Sequence, residues 1–233
     1  MDASIELQEL KVLLQDIHLN AAVADVIIWL FDSSKVFTVK SWYALLMQEQ
    51  GEVDLEDGRK QGLNWIWGAY VPSKLKFFGW RLLLDRLPTR NHLLHRGIID
   101  SSQNAVCAFC LMQVEDSTHL FLQCTKLRSF WCRVCSWLDL DIIAGVDCCG
   151  NLNSCINLLT GKMSCSRGAA IWLTVCWCIW KTRNDVIFNN AKLDAEELFY
   201  LILWYSWWWL AFVAKDRITC NFYEWFKNPF VCI

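Results

Sequence analysis

The chain has 233 residues, of which 55% are hydrophobic and 14% aromatic, a composition that excludes an intrinsically disordered protein. Its formal net charge is −2, which argues against a globally basic nucleic-acid-binding protein and leaves only a local basic patch for such binding. The first residues carry acids and no basic n-region, so we expect no signal peptide and an intracellular protein, nuclear or cytoplasmic. The 13 cysteines are then expected as reduced thiols around one metal site, with disulfides as the less favoured alternative.

A helix, a hairpin and a second helix are predicted before residue 50. Residues 5–17 carry apolar side chains at roughly helical spacing. Residues 26–40 predict a β-hairpin, because VIIWLF and the alternating VFTVK flank the turn sequence DSSK. Residues 41–49 resume a helical pattern, and the polar, glycine-bounded residues 51–62 predict a loop.

Two short helices are predicted before residue 98. The first presents one apolar face and ends before Pro88; the face consists of Trp80, Leu83, Leu84 and Leu87 at i, i+3, i+4 and i+7. Thr89 can cap the second helix, which ends at Gly97.

The second half of the chain is predicted to be helical on both sides of a linker. A helix over about 126–138 precedes residues 139–168, whose weak polar pattern predicts the linker. Residues 169–190 and 195–214 predict two strongly apolar helices, and the aromatic tail NFYEWFKNPFVCI is expected to be irregular.

The last long helix reaches the lower length limit for a membrane span. Leu198–Ala214 holds 17 uncharged residues, but its tryptophans lie in its middle instead of at the two interfaces. Charged residues also flank it closely. A core or partner-facing helix is therefore favoured, and membrane association is not expected.

Four residues form a complete ligand set for one metal ion. The segment CAFCLMQVEDSTHLFLQC spaces Cys107, Cys110, His119 and Cys124 as C-x2-C-x8-H-x4-C. Three thiolates and one imidazole satisfy tetrahedral zinc and leave no open position for water, so the zinc would be structural. STHLFLQC predicts a short helix with Asp116 or Ser117 as N-cap and Cys124 at its frayed C-terminal end.

Chance pairing of cysteines is the alternative to this zinc site. Cys132 and Cys135 form a second C-x2-C pair in the same chain, with no accompanying ligands. A full four-ligand set with both short spacings is harder to obtain by chance, which favours zinc. His92 and His95 form an H-x2-H pair without carboxylate neighbours, and surface or capping roles are favoured for them.

A basic segment immediately precedes the metal array. Between Val71 and Ile98 there is one acid, Asp85, against six basic residues: Lys74, Lys76, Arg81, Arg86, Arg90 and Arg96. Such side chains contact phosphates, and Phe77, Phe78 and Phe109 are candidates for stacking on unpaired bases. A solvated helix face with core phenylalanines is the alternative.

Five segments follow one another over about 36–131: FTVKSWYALL, VPSKLKFFGWR, RLPTR, the cysteine pair and HLFLQC. In this order they resemble the reverse-transcriptase zinc-binding domain of plant LINE-type (non-LTR) retrotransposons. The later AAIWLTVCWCIWKTRNDVIF resembles a stretch that follows this domain in such elements. By resemblance, the family's ligand positions are Cys107, Cys110, His119 and Cys124, and the domain lies downstream of the polymerase in a polyprotein.

We therefore expect a mainly α-helical chain with a small β-hairpin, built as a zinc-stapled helical module plus a C-terminal helical extension. The expected domains are an N-terminal helical remnant at 1–24, the reverse-transcriptase zinc-binding domain at 25–138, the linker at 139–168 and the extension at 169–233. No polymerase, nuclease or RNase H motif is recognised, so no enzymatic activity is expected.

The expected function is a non-catalytic zinc-binding module from a retrotransposon reverse transcriptase that contacts RNA or single-stranded DNA. Two alternatives are kept. One is a zinc-stabilised protein-interaction module that docks on the reverse-transcriptase domain or on another protein. The other is a degenerate element fragment with no present function. A steep salt dependence would distinguish phosphate contacts from apolar docking.

Overall fold

The computed structural model describes residues 7–8, 11–12, 15, 26–50, 55–100, 105–141, 145–214 and 217–232. The described residues are mainly helical and contain no β-strand; their single β-bridge joins Val106 and Val114. The chain divides into two compact units, Met1–Asp54 and Leu55–Ile233. Most of the helix predicted over 5–17 lies outside the described residues.

The β-hairpin predicted over 26–40 is wrong. Residues 26–38 form turns and irregular backbone, in which the Trp29 amide donates to the Lys35 carbonyl and the Lys35 amide to that of Asp32. Thr38 Oγ1 accepts the Ser41 amide at 3.0 Å, a bond that caps helix α1 at Val39–Gln50. Because of this cap, Val39 and Lys40, the end of the second predicted strand, form the first residues of the helix instead. A two-stranded ribbon with no third strand has little stability of its own to oppose this.

The second unit is built from helices around one core. The helices are α2 (Asp57–Gly68), α3 (Ser73–Leu83), α4 (Arg90–His95), α5 (Arg128–Trp137), α6 (Cys148–Leu159), α7 (Cys165–Phe188), α8 (Ala195–Phe212) and α9 (Phe222–Lys227). A π-helical turn at His119–Gln123 and a 3-10 turn at Thr125–Leu127 lie between α4 and α5. Helix α2 begins inside the segment predicted as a loop.

Helix α7 is the centre of this unit. It packs against α2, α3, α6 and α8, and its middle is buried on almost every side from Gly168 to Cys176. A helix that is apolar all round is stable only inside a core. The strongly apolar composition of residues 169–190 is therefore explained by position within the fold.

Helix α3 approaches α7 closely at Gly79, which gives a testable packing prediction. A Cβ at Gly79 would lie 2.4 Å from Leu173 Cδ2 and 3.0 Å from Ile66 Cδ1. We expect Gly79→Ala to destabilise the protein by about 1–3 kcal/mol through overpacking, measured by urea unfolding. Gly58→Ala is the control, because that Cβ would have only ordinary contacts on an exposed part of α2. Equal stability of the two variants would contradict the close approach.

The segment 139–168, predicted as a linker, contains the buried helix α6. Asp147 Oδ1 accepts the Gly150 amide at 2.7 Å and caps it. The buried face of α6 consists of Cys148, Cys149, Asn151, Leu152, Cys155, Ile156 and Leu159. Asn151 accepts the Trp172 indole N–H of α7 at 2.8 Å, so its polar side chain is satisfied within the core. The domain limits drawn from sequence stay predictions.

The C-terminal tail is more ordered than its sequence suggested. Asn221 and Glu224 form a capping box that begins α9, and Pro229–Cys232 forms a 3-10 turn. Cys220 and Cys232 form a disulfide, which corrects the expectation of reduced thiols for this pair. Across the described ranges, no helix is both long enough and apolar enough to cross a membrane.

Candidate metal centre

The structure brings together the four residues predicted to bind zinc. Cys107, Cys110, His119 and Cys124 are all buried, and their ligand atoms lie within 4.8 Å of one another. The Sγ atoms of Cys107 and Cys124 are 3.8 Å apart. His119 Nε2 is 3.3 Å from Cys110 Sγ.

These distances fit a tetrahedral zinc ion. Zinc–sulfur bonds of about 2.3 Å and zinc–nitrogen bonds of about 2.0 Å place two sulfurs roughly 3.8 Å apart, and sulfur and nitrogen roughly 3.5 Å apart. A disulfide would need about 2.05 Å between sulfurs, so the Cys107–Cys124 pair has the spacing of two metal ligands. The donor set is also that of structural zinc sites.

A tight loop supplies the first two cysteines. The Cys107 amide donates to the Gln113 carbonyl at 2.7 Å, next to the bridge between Val106 and Val114. Leu111 completes the turn with a φ of 56°. Backbone N–H groups of Phe109 and Cys110 hydrogen-bond to the Cys107 sulfur, which favours its thiolate form. The C-x2-C spacing therefore provides both sulfurs and amide donors for them.

A π-helical turn supplies the other two ligands. Asp116 Oδ1 accepts the His119 amide at 2.7 Å, so of the two predicted candidates, Asp116 and Ser117, it is Asp116 that caps this segment. The Cys124 amide donates to the His119 carbonyl at 2.8 Å, an i→i+5 bond. Because the π-helical turn is wider than an α-helical turn, His119 and Cys124, five positions apart, lie on the same side of it and both reach the cluster. Cys124 itself has extended backbone at the end of the turn, as predicted.

The Cys107 and Cys124 sulfurs lie 3.8 Å apart and interact directly. This contact raises the pKa of Cys107 and lowers the pKa of Cys124, and burial raises the pKa of Cys107 further. Zinc binds thiolates, so binding of the metal would release the thiol protons.

A buried ion pair ties the metal loop to helix α7. Glu115, which lies between Cys110 and His119 in the sequence, is fully buried, and Arg183 of α7 is 3% exposed. Arg183 donates to Glu115 Oε1 from Nε at 3.1 Å and from Nη2 at 2.5 Å. The same carboxylate accepts backbone amides of Arg90 at 3.0 Å and Ala108 at 3.2 Å. Sequence reasoning missed both partners, although Arg183 lies in the WKTRN stretch.

The six basic residues of the predicted nucleic-acid site have different roles in the structure. Lys76 donates to the Trp67 carbonyl, Arg81 to that of Arg86, and Arg90 to that of Val106 beside the metal loop. Lys74 lies over the ring of Trp177, 5.8 Å from its centroid. Arg86 and Arg96 are exposed, and no hydrogen bond or ion pair joins their side chains to other described residues.

The phenylalanines predicted to stack on bases are mostly in the core. Phe78 is 5% exposed and Phe109 8%, so only Phe77 presents a free surface. Its ring already meets Trp67 edge to face. His92 Nδ1 donates to the Leu87 carbonyl at 2.8 Å, and its Nε2 lies 3.3 Å from Asp85, consistent with a local structural role.

Residues 37–131 match the family described as zinc-binding in reverse transcriptase. The matched segment contains all four residues of the cluster and ends inside helix α5. The match supports a reverse-transcriptase zinc-binding domain over this segment. Together with the buried Cys3His cluster, it confirms a structural zinc ion as the cofactor. No curated protein and no solved structure matches the chain.

Proposed function

We propose that this protein is a non-catalytic zinc-binding module from the reverse transcriptase polyprotein of a plant LINE-type retrotransposon, and that it contacts RNA or single-stranded DNA. The observation that carries the proposal is the buried Cys3His cluster inside the matched segment. Cys107, Cys110, His119 and Cys124 are the zinc ligands, and the ion fixes the loop and the π-helical turn to each other.

A structural role for the zinc follows from its coordination. Four protein ligands leave no position where water could be activated. The nearby carboxylates have other partners, because Glu115 binds Arg183 and Asp116 caps the π-helical turn. We therefore expect no magnesium-dependent polymerase or nuclease activity from this chain alone.

A protein-interaction module is the second candidate, favoured by the surface of the first unit. In the stretch 26–50, Ile27 is fully exposed, Leu30 is 81% exposed and Val39 is 76% exposed. Apolar surface of this kind marks docking sites for other proteins. On this alternative the partner is the reverse-transcriptase domain or another protein.

Metal content tests the zinc proposal directly. We expect native mass spectrometry of the purified wild type to show one zinc ion per chain, and Cys110→Ser to lose it. Cys132→Ser and Cys135→Ser are matched controls, because that C-x2-C pair lies in helix α5 outside the cluster. Zinc retained by Cys110→Ser, or a wild type without metal, would contradict the assignment.

Salt dependence tests nucleic-acid contact. Arg86 and Arg96 are the appropriate residues to replace, since Arg81 and Arg90 hold the protein's own backbone. We expect the Arg86→Ala, Arg96→Ala double variant to bind labelled RNA more weakly whatever its sequence. The slope of log affinity against log salt should fall by about 0.7 per lost contact to a single strand. Fluorescence anisotropy measures both, with the exposed Lys192→Ala as control. Binding insensitive to salt in the wild type would favour the protein-interaction module.

A further inference from the structure

We propose that a cleft between the start of α3, helix α7 and helix α8 binds the bases and phosphates of a single-stranded nucleic acid; this inference rests on the nucleic-acid contact proposed above. The cleft has a volume of about 410 Å³, within the range of pockets that take a nucleotide-sized group. Its lining includes two lysines and three tryptophans: Lys74, Trp177, Lys181, Trp204 and Trp208. All belong to the second unit.

The aromatic side chains of the cleft offer exposed ring surface. Trp204 and Trp208 are each 43% exposed although they belong to the most apolar helix of the protein. Their rings are stacked, with centroids 6.1 Å apart and planes at 25°. Trp208 also lies 4.3 Å from the Phe212 ring and Trp204 lies 5.3 Å from the Phe222 ring, measured between centroids. The exposed parts of the two indoles are the surface offered to unpaired bases, which stack on aromatic rings whatever their identity.

The charged side chains that line the cleft are all positive. They are Lys74 and Lys181, and the lining contains no aspartate or glutamate. Neither lysine forms an ion pair with another residue in the described part of the chain. Lys74 is instead held over the Trp177 ring, with its ammonium group 5.8 Å from the centroid. An occupant must therefore carry negative charge.

The two features together select the occupant. The indole rings favour a ligand with an aromatic group, because aromatic rings stack on each other. The lysines beside them favour a ligand that also carries an anionic group close to that ring. A single-stranded nucleic acid repeats both groups at every residue, and it binds proteins through this combination. A carboxylate-rich peptide would satisfy the lysines but leave the indole platform unused.

The cleft is connected to the metal centre through packed rings. Trp177 meets Phe78 edge to face, with centroids 5.2 Å apart, and Phe78 meets Phe121 of the π-helical turn at 6.3 Å. The position of Trp177 therefore depends on the same core that holds His119 and Cys124. The cleft and the metal loop therefore contact the same core within the second unit.

The test compares two oligomers with equal phosphate number in fluorescence anisotropy: labelled oligo(dT) and the same backbone without bases. The zinc-loaded full chain should bind oligo(dT) about 10-fold more tightly than the abasic oligomer. Trp208→Leu should remove most of this preference, because leucine keeps apolar volume without a ring. Trp208→Phe should retain part of it. Lys74→Glu with Lys181→Glu should weaken binding of both oligomers.

The matched controls lie on helix α9 and are not among the residues that line the cleft. Tyr223 is 62% exposed and Lys227 lies 4.5 Å from its ring centroid, an aromatic–lysine pair without a cleft. Tyr223→Leu and Lys227→Glu should leave binding of both oligomers unchanged. Urea unfolding and zinc content verify that each variant is folded.

The outcomes separate this inference from the function on which it rests. A wild type that binds oligo(dT) while every cleft variant binds equally well would overturn the cleft alone. Competition by polyglutamate as strong as by oligo(dT) would also overturn it, in favour of a peptide. No nucleic-acid binding by the wild type at low salt would overturn both proposals.

Discussion

Replacing Arg183 with methionine should destabilise the protein by about 3–5 kcal/mol, although Arg183 is not a ligand in the metal cluster. The change leaves Glu115 as a buried carboxylate with no cation to compensate it, at a site with no exposure to water. Urea unfolding followed by tryptophan fluorescence measures the loss. We expect zinc to be released more readily as well, since the same carboxylate holds the Ala108 amide between the two cysteines of the loop.

A double variant distinguishes the ion pair from simple loss of packing. Glu115→Gln removes the charge but keeps an oxygen to accept the Arg90 amide. Combined with Arg183→Met it should therefore be more stable than Arg183→Met alone, because no uncompensated charge remains in the core. Glu196→Gln is the surface control: Glu196 pairs with Arg133 in an exposed ion pair, and we expect a change below about 1 kcal/mol. A double variant no more stable than Arg183→Met would contradict this account.

Removing the zinc should have an even larger effect on the region that the metal holds. Structural zinc contributes roughly 10 kcal/mol or more of binding free energy in small zinc-dependent folds. We expect chelation, or Cys124→Ser, to abolish slow hydrogen exchange at the amides of Cys107, Glu115 and Cys124, whose partners lie inside the metal loop and the π-helical turn. Hydrogen–deuterium exchange read by mass spectrometry localises the change.

The effect should spread from the metal into the core. Leu120 and Phe121 of the π-helical turn are fully buried, and Phe121 lies 6.4 Å from the Trp180 ring of α7. We expect lower protection in the middle of α7 but little change in α9, which packs on α8. Cys135→Ser with zinc bound is the control. Unchanged exchange in a verified metal-free protein would show that the ion is dispensable for the fold.

The metal ligands were predictable because their chemistry is local. The four ligands lie within 18 positions, and the same segment contains the residue that caps the turn. Their spacing and donor types can therefore be recognised in the local sequence alone. The π-helical turn was not predictable in the same way. The spacing from His119 to Cys124 indicated only that Cys124 must lie beyond one α-helical turn.

The elements that sequence reasoning missed depend on distant partners or on misjudged residues. Glu115 and Arg183 are 68 positions apart, and a lone acid and a lone arginine carry no sign of their pairing. The segment that contains helix α6 is predicted as a linker because its glycines and asparagines give it a weak, polar pattern. Cys148, Leu152, Cys155 and Leu159 nevertheless follow a helical period, and a free thiol packs as a small apolar group. The predicted hairpin failed for a local reason, the cap at Thr38.

The position of α7 has a consequence for how this module can evolve. The family model matches residues 37–131, yet the core that surrounds the metal loop includes α7 at 165–188. A duplication or recombination event that copied only the recognisable part would lose Arg183, Trp177 and Trp180 together. A copy that keeps the metal loop in its core therefore needs α7 as well, and we expect substitutions in α7 and in the metal loop to depend on each other.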